Sequence, residues 1–417
     1  MSETSFGSRS GAETSAPGPT VSFGFNLAKI DDHGEDSDPI LRDGPDLGLL
    51  AVFDGMGGAG GTVYDTEDGP RSGAYLASRI ARDVVEQRML QILVPDWNLK
   101  GEAAATDLRR SVQEALQERL TALKPPKSGL RSRLLRALPT TMAAIALQRS
   151  HRRSSEWLCH VFWSGDSRAY VFEPDGARQL MTDDLRDPSD ALTNLRRDSV
   201  VSNAMSADTE FHVSYRQVKL EAPFLLVCAT DGCFGYLPTP MHFEHLVLSP
   251  LTSARTVTGW SDAIQHGISA VTGDDAAMAV VAVGADLAAL RSLYAPRVAQ
   301  LEDQFTGPLD DLSRSLQLAE DELQLLRQRQ LDETQQLWEV YRPGYEQYLH
   351  ADTEIPEPVD LDGDAPDVAD TRISGPDHPA DAAPPPVDST PPAETSPDGS
   401  ATDVTMHDET TPDEVTR

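Results

Sequence analysis

Two uninterrupted apolar runs that each end in Asp-Gly constrain this chain more than any other feature. Leu49-Leu50-Ala51-Val52-Phe53 leads into Asp54-Gly55-Met56-Gly57-Gly58, and Phe224-Leu225-Leu226-Val227-Cys228-Ala229-Thr230 leads into Asp231-Gly232. Short runs this apolar, closed by glycine, predict strands buried on both faces. Two further segments share the design. Asp166 lies between the strand-like runs of Val161 to Tyr170, and Thr272-Gly273-Asp274-Asp275 precedes the apolar run Met278 to Val283. A lone Asp-Gly reads as a turn whose aspartate caps the backbone. Four acid-bearing turns on buried strands instead predict converging carboxylates, which repel one another unless a cation neutralises them. An all-oxygen set without a His/Cys cluster points to magnesium or manganese rather than zinc.

In order along the chain, Gly34-Glu35-Asp36, Asp54-Gly55-Met56-Gly57-Gly58, Thr140-Thr141, Gly165-Asp166-Ser167-Arg168, Asp231-Gly232 and Gly273-Asp274-Asp275 resemble the motifs of bacterial PPM-class (type 2C) metal-dependent serine/threonine protein phosphatases. The resemblance implies an α+β fold, a four-layer α-β-β-α sandwich of two antiparallel sheets flanked by helices. It also implies hydrolysis of phosphoserine and phosphothreonine by a metal-bridging water. Two Mn2+ or Mg2+ ions would be bridged by Asp54. Asp231 and Asp275 would lie on one side, with the Gly55 carbonyl and waters held by Asp36 on the other. Glu35 would reach a metal directly, and Asp166 would serve a third ion. The implied partner is a phosphoprotein, with a Ser/Thr kinase or its targets as candidates. Thr140-Thr141 would pack beneath the site, and residues 182–208 fall where the family has a substrate-gating flap, a plain connector being the other reading.

This chain departs from the family pattern at several positions. Asp31 stands where an arginine usually clamps the substrate phosphate, and a carboxylate repels a dianion that a guanidinium would bind. Lys29 or an arginine from elsewhere would have to substitute. Gly235 stands where many relatives carry a further aspartate, which leaves the third ion without a ligand. Ala276 replaces a common asparagine, and Met56 replaces a histidine found in eukaryotic relatives. Asp31 and Gly235 keep open a second function, a phosphatase-fold module that binds or regulates a phosphoprotein. The crowded Asp36, Asp54, Asp231 and Asp275 favour the enzyme.

The rest of the chain sets the context. A formal charge of −32 excludes nucleic acid as a partner, and no run approaches the length needed to span a membrane. Cys159, Cys228 and Cys233 form no disulfide framework and read as core residues of a cytoplasmic protein. Residues 1–20 read as a disordered leader and 21–285 as the catalytic domain. Within that domain, helical spacing predicts helices over 72–93 and 103–123. The acidic, glycine-rich 59–70 reads as a mobile insertion near the metal mouth. Residues 124–136 form a basic island, read as a solvated loop or a docking patch. Over 286–350, apolar residues recur by threes and fours with a stop at Gly307-Pro308. This predicts a helical appendage, either an antiparallel hairpin or a coiled coil through which the chain meets a partner or itself. From 351 onward there are 18 Asp+Glu against 2 Arg, a disordered acidic tail.

Overall fold

The computed structural model describes residues 18–30, 32–67, 69–93, 99–123, 136–150, 155–197 and 199–349. Two five-stranded antiparallel sheets stack face to face. One has the order β1 (Pro19–Leu27), β12 (Ala276–Val283), β11 (Phe224–Ala229), β8 (Arg168–Glu173), β9 (Gly176–Gln179). The other runs β10 (Ser214–Glu221), β7 (Glu156–Ser164), β6 (Met142–Arg149), β3 (Leu47–Val52), β2 (Ile40–Asp43).

Period-two alternation explains why the central strands lack polar residues. On β3, Leu50 and Val52 face the other sheet, where they meet Cys228, Ala279 and Val281. Leu49 and Ala51 face outward onto helices α2 (Gly73–Leu93) and α3 (Gly101–Ala122), against Val85, Met89 and Leu108. β12 does the same in mirror image: its outward Met278 and Val280 pack on α5 (Pro240–Ser253), α6 (Val257–Ser269) and α7 (Leu287–Leu301), under Trp260 and Tyr294. Each strand is therefore covered on both faces, and each fully buried side chain of this kind contributes about 1.5–3 kcal/mol. This is the predicted four-layer sandwich. All three cysteines are buried in it and unpaired, and burial pushes the Cys159 and Cys228 thiols up.

Several sequence expectations change. The first strand begins at Pro19, inside the stretch read as leader. The insertion read as mobile folds into a hairpin of β4 (Val63–Thr66) and β5 (Gly69–Ser72). α7 belongs to the core: Leu290, Tyr294, Val298 and Leu301 are buried there, and the Tyr294 hydroxyl donates to the Phe172 carbonyl at 2.7 Å. No antiparallel hairpin forms after it. The chain passes through a π turn at Glu302–Thr306 into α8 (Gly307–Tyr345), with Gly307 in right-handed helical geometry. The π turn absorbs the break that Pro308 would otherwise impose, and the Thr306 hydroxyl takes up the Leu301 carbonyl at 3.2 Å. The basic residues 124–135 and the tail from 351 lie outside the described residues. The chain divides into two units, Met1–Leu337 and Trp338–Arg417. In the second, Trp338, Tyr341 and Tyr345 form a ring cluster. Among the described residues no helix is long and apolar enough to cross a membrane.

His160 on β7 supplies a pH test of this core. Its Nδ1 lies 2.9 Å from the Tyr215 hydroxyl, its Nε2 is buried without a partner among the described residues, and burial pushes its pKa down to about 4. Between pH 6.5 and about 4 the unfolded chain takes up a proton here that the folded chain refuses, so stability is lost as pH falls through that window. Melting curves should show wild type losing more in Tm from pH 6.5 to 4 than His160→Gln; parallel curves would contradict the assignment.

Candidate metal centre

The four acid-bearing turns all lie at one end of the sandwich. β3 leads through Phe53 into Asp54, whose carbonyl accepts from the Thr141 amide at 2.9 Å and the Thr140 hydroxyl at 2.6 Å. The paired threonines thus clamp the turn from below, and the Thr141 hydroxyl lies 2.6 Å from that of Ser167, tying it to the Asp166 loop. Asp36 is nearly fully buried, and its Oδ2 accepts from the Thr230 hydroxyl at 2.8 Å. Asp275 accepts from the backbone amides of Glu35 at 2.6 Å and Lys29 at 2.7 Å, which couples the loop after β1 to the start of β12.

Two glycines are required by close approach rather than by dihedral angle. A Cβ on Gly55 would sit 2.5 Å from the Glu35 carbonyl oxygen and 2.8 Å from that of Ala74. One on Gly232 would sit 1.8 Å from the Asp275 carbonyl oxygen. Only glycine lets these backbones meet, which is why both Asp-Gly pairs are needed.

The electrostatics record the crowding. Burial, then Asp231, Asp36 and Asp166, push Asp54 well above the usual carboxylate range. Burial, then Asp231 and Asp275, do the same for Asp36 against the lowering effect of Thr230. Asp166 is pushed up to about 7 by burial and then Asp231. Glu35 rises through burial and Asp275, although its Oε1 accepts from the Ser72 hydroxyl at 2.5 Å. Asp274 is exposed and caps the Asp275 amide at 2.9 Å. Among the described residues no three His, Cys, Asp or Glu side chains form a ready-made ligand cluster. The carboxylates are near enough to repel one another and are not drawn in to a common point. A buried, all-oxygen, mutually repelling donor set fits hard divalent cations such as Mn2+ or Mg2+.

Cations border this acidic end. Arg79 donates to the carbonyls of Gly34 at 3.1 Å and Glu35 at 3.2 Å. Arg71, brought in by the β4–β5 hairpin, donates to the Asp32 carbonyl at 2.6 Å, stacks over Tyr75, and keeps a buried Nε without a partner among the described residues. The Lys29 ammonium is engaged by the Gly273 carbonyl. Asp31 lies outside the described residues. On the other side, Asp166 and Asp231 line a cavity of about 340 Å3 with Arg196, Arg197 and Gly235. Residues of the segment expected as flap or connector line the same cavity, among them Leu185, Ser199 and, from the short helix α4 (Ala191–Arg196), Asn194 and Leu195. Gly235 adds no carboxylate there. Arg168, which also lines the cavity, is held by Asp183 through a buried pair at 2.6 Å, and breaking such a pair costs about 3–5 kcal/mol. Arg71, Ser72, Thr230 and Asp183 were not singled out from sequence. Of these only Thr230 carried a signal, its place directly before Asp231-Gly232.

A family profile described as protein phosphatase 2C matches residues 32–266. The match covers more than half of the chain, which therefore belongs to the protein phosphatase 2C family. A search of curated proteins returns no match. Among solved structures, the Mycobacterium tuberculosis serine/threonine phosphatase PstP/Ppp is 16% identical, with a TM-score of 0.45 and coverage of 63% of this chain and 98% of that one. The catalytic domain of PstP in complex with 2 manganese ions is 16% identical, with a TM-score of 0.42 and coverage of 63% and 96%. Stp1 from Staphylococcus aureus is also 16% identical, with a TM-score of 0.43 and coverage of 64% and 97%.

Proposed function

We infer that this chain is a metal-dependent phosphatase acting on phosphoserine and phosphothreonine in proteins. The observation that carries the reading is the set of carboxylates Asp36, Asp54 and Asp166, raised by burial and by Asp231, at the strand ends of a protein phosphatase 2C domain. A scaffold alone has no physical need to crowd them. Asp54, Asp231, Asp275 and the Gly55 carbonyl would hold two Mn2+ or Mg2+ ions, with Asp36 and Glu35 completing the shell. Asp166 would have too few partners for a firm third site because position 235 is glycine. When bound, such ions acidify water and polarise a phosphoryl oxygen.

The chain's own residues position the rest. Thr230 fixes one oxygen of Asp36, and the Glu35 and Lys29 amides fix Asp275. With Lys29 engaged by the Gly273 carbonyl, Arg71 is the guanidinium that the β4–β5 hairpin brings to the acidic end, next in sequence to Ser72, which donates to Glu35, and we assign it the substrate phosphate. Arg196 and Arg197 offer charge to flanking acidic or phosphorylated residues at the cavity rim. No protein nucleophile is needed, and the cysteines are buried.

Phosphate release from phosphothreonyl and phosphoseryl peptides, with Mn2+ and with chelator, tests the function. Mn2+-dependent release from both is expected, and no release under any metal would favour the binding-module reading. Arg71→Ala is expected to raise KM roughly tenfold with a smaller change in kcat, since the lost interaction is largely uniform binding at a part-exposed site. Arg71→Lys should recover part of it. Equal KM values for Arg71→Ala and wild type would remove Arg71 from the phosphate.

A further inference from the structure

We propose that α8 is an antiparallel dimerisation helix that pairs with α8 of a second copy of this chain about a two-fold axis between Gln324 and Leu325. The first observation is a leucine seam left exposed among the described residues. Leu312, Leu316, Leu323, Leu326 and Leu337 recur at coiled-coil spacing, with Ala319 in the same row, and the leucines are 47–65% exposed. Leaving such a row in water forfeits burial that a partner helix would supply.

The second observation selects the partner and its direction. Glu320 and Glu322 lie one turn before the midpoint, Arg327 and Arg329 one turn after it, and among the described residues none of the four makes an ion pair within the chain. Reversing one copy places Glu320 beside Arg327 of the other and Glu322 beside Arg329, four opposite-charge contacts once the two-fold is applied. The same axis sets Leu323 against Leu326, Leu312 against Leu337, and small Ala319 against Gln330. A parallel pair leaves two such charge contacts and faces Glu333 against its own copy across the seam, where like charges are destabilising. Antiparallel pairing sets Glu333 against Leu316 and avoids that clash. The matched segment from 312 to 337 extends about 38 Å at 1.5 Å per residue. The pairing does not depend on the chemistry of the metal centre.

The three native cysteines are buried, so introduced ones report cleanly. In full-length protein, Ala319→Cys and Gln330→Cys variants are mixed, oxidised and mapped by mass spectrometry, alongside sedimentation equilibrium of wild type. The expected result is a wild-type dimer with disulfides joining 319 of one chain to 330 of another. Wild-type monomer, or 319–319 and 330–330 disulfides in place of the mixed one, would overturn the proposal. Leu323→Asp with Leu326→Asp should give loss of the dimer, while an undiminished dimer would place the interface elsewhere. Glu320→Arg with Glu322→Arg should also lose self-association and regain it on mixing with Arg327→Glu and Arg329→Glu; no recovery would remove the charge pairing.

Discussion

Asp54→Asn is expected to abolish metal-dependent phosphate release while the fold persists. The turn survives because its anchors are backbone: the Asp54 carbonyl keeps Thr140 and Thr141 whatever the side chain. The function fails because Asp54 is the carboxylate set between the two halves of the proposed cation site. Loss of partners that merely orient metal ligands costs about 10–100-fold, so removal of a carboxylate that would itself hold the cations should cost at least about 100-fold. Stability should move the other way in metal-free protein. Asp54, Asp36 and Asp166 all have raised folded-state pKa values. Their favourable contribution is complete at low pH and is lost as pH rises, for Asp166 through about 7. Deleting one charge relieves that repulsion. At pH 7.5 with chelator, Asp54→Asn should therefore melt at or above wild type, and a variant that melts far lower would show a structural role instead.

Gly232→Ala is expected to disable the site through the backbone. The new Cβ would stand 1.8 Å from the Asp275 carbonyl oxygen and 2.8 Å from its carbon. The 3-10 turn at Asp231–Cys233 and the start of β12 must then part by about 1 Å. Misplacement on that scale costs about 100-fold in turnover, and overpacking adds about 1–3 kcal/mol of destabilisation. Gly58→Ala is the control, since nothing lies within 4 Å of its Cβ, and wild-type turnover and Tm are expected. Turnover in Gly232→Ala equal to that control would mean that Asp231 and Asp275 need not be held together.

Burial explains which parts of this molecule could be read in advance. β3, β11 and β12 are covered on both faces, so they appear as unbroken apolar runs that locate themselves and the aspartates at their ends. α2 and α3 show their stripe because only one face is buried. The β4–β5 hairpin has no comparable signature. Asp65, Glu67 and Pro70 read as loop, and the placing of Ser72 on Glu35 and of Arg71 on the Asp32 carbonyl follows from the hairpin's pairing rather than from composition. α7 was legible as a helix but not as core, because spacing does not say what a helix packs against. Gly307-Pro308 reads as a stop, yet the π turn before it lets the chain stay helical.

Calorimetric titration of the full chain with Mn2+ at neutral pH tests the cation site itself. Saturable binding of two ions per chain is expected, weakened in Asp54→Asn and accompanied by a rise in Tm, with no firm third ion because position 235 is glycine. No saturable binding at millimolar Mn2+ would contradict it, since these carboxylates would then be held together without the cation that their crowding requires.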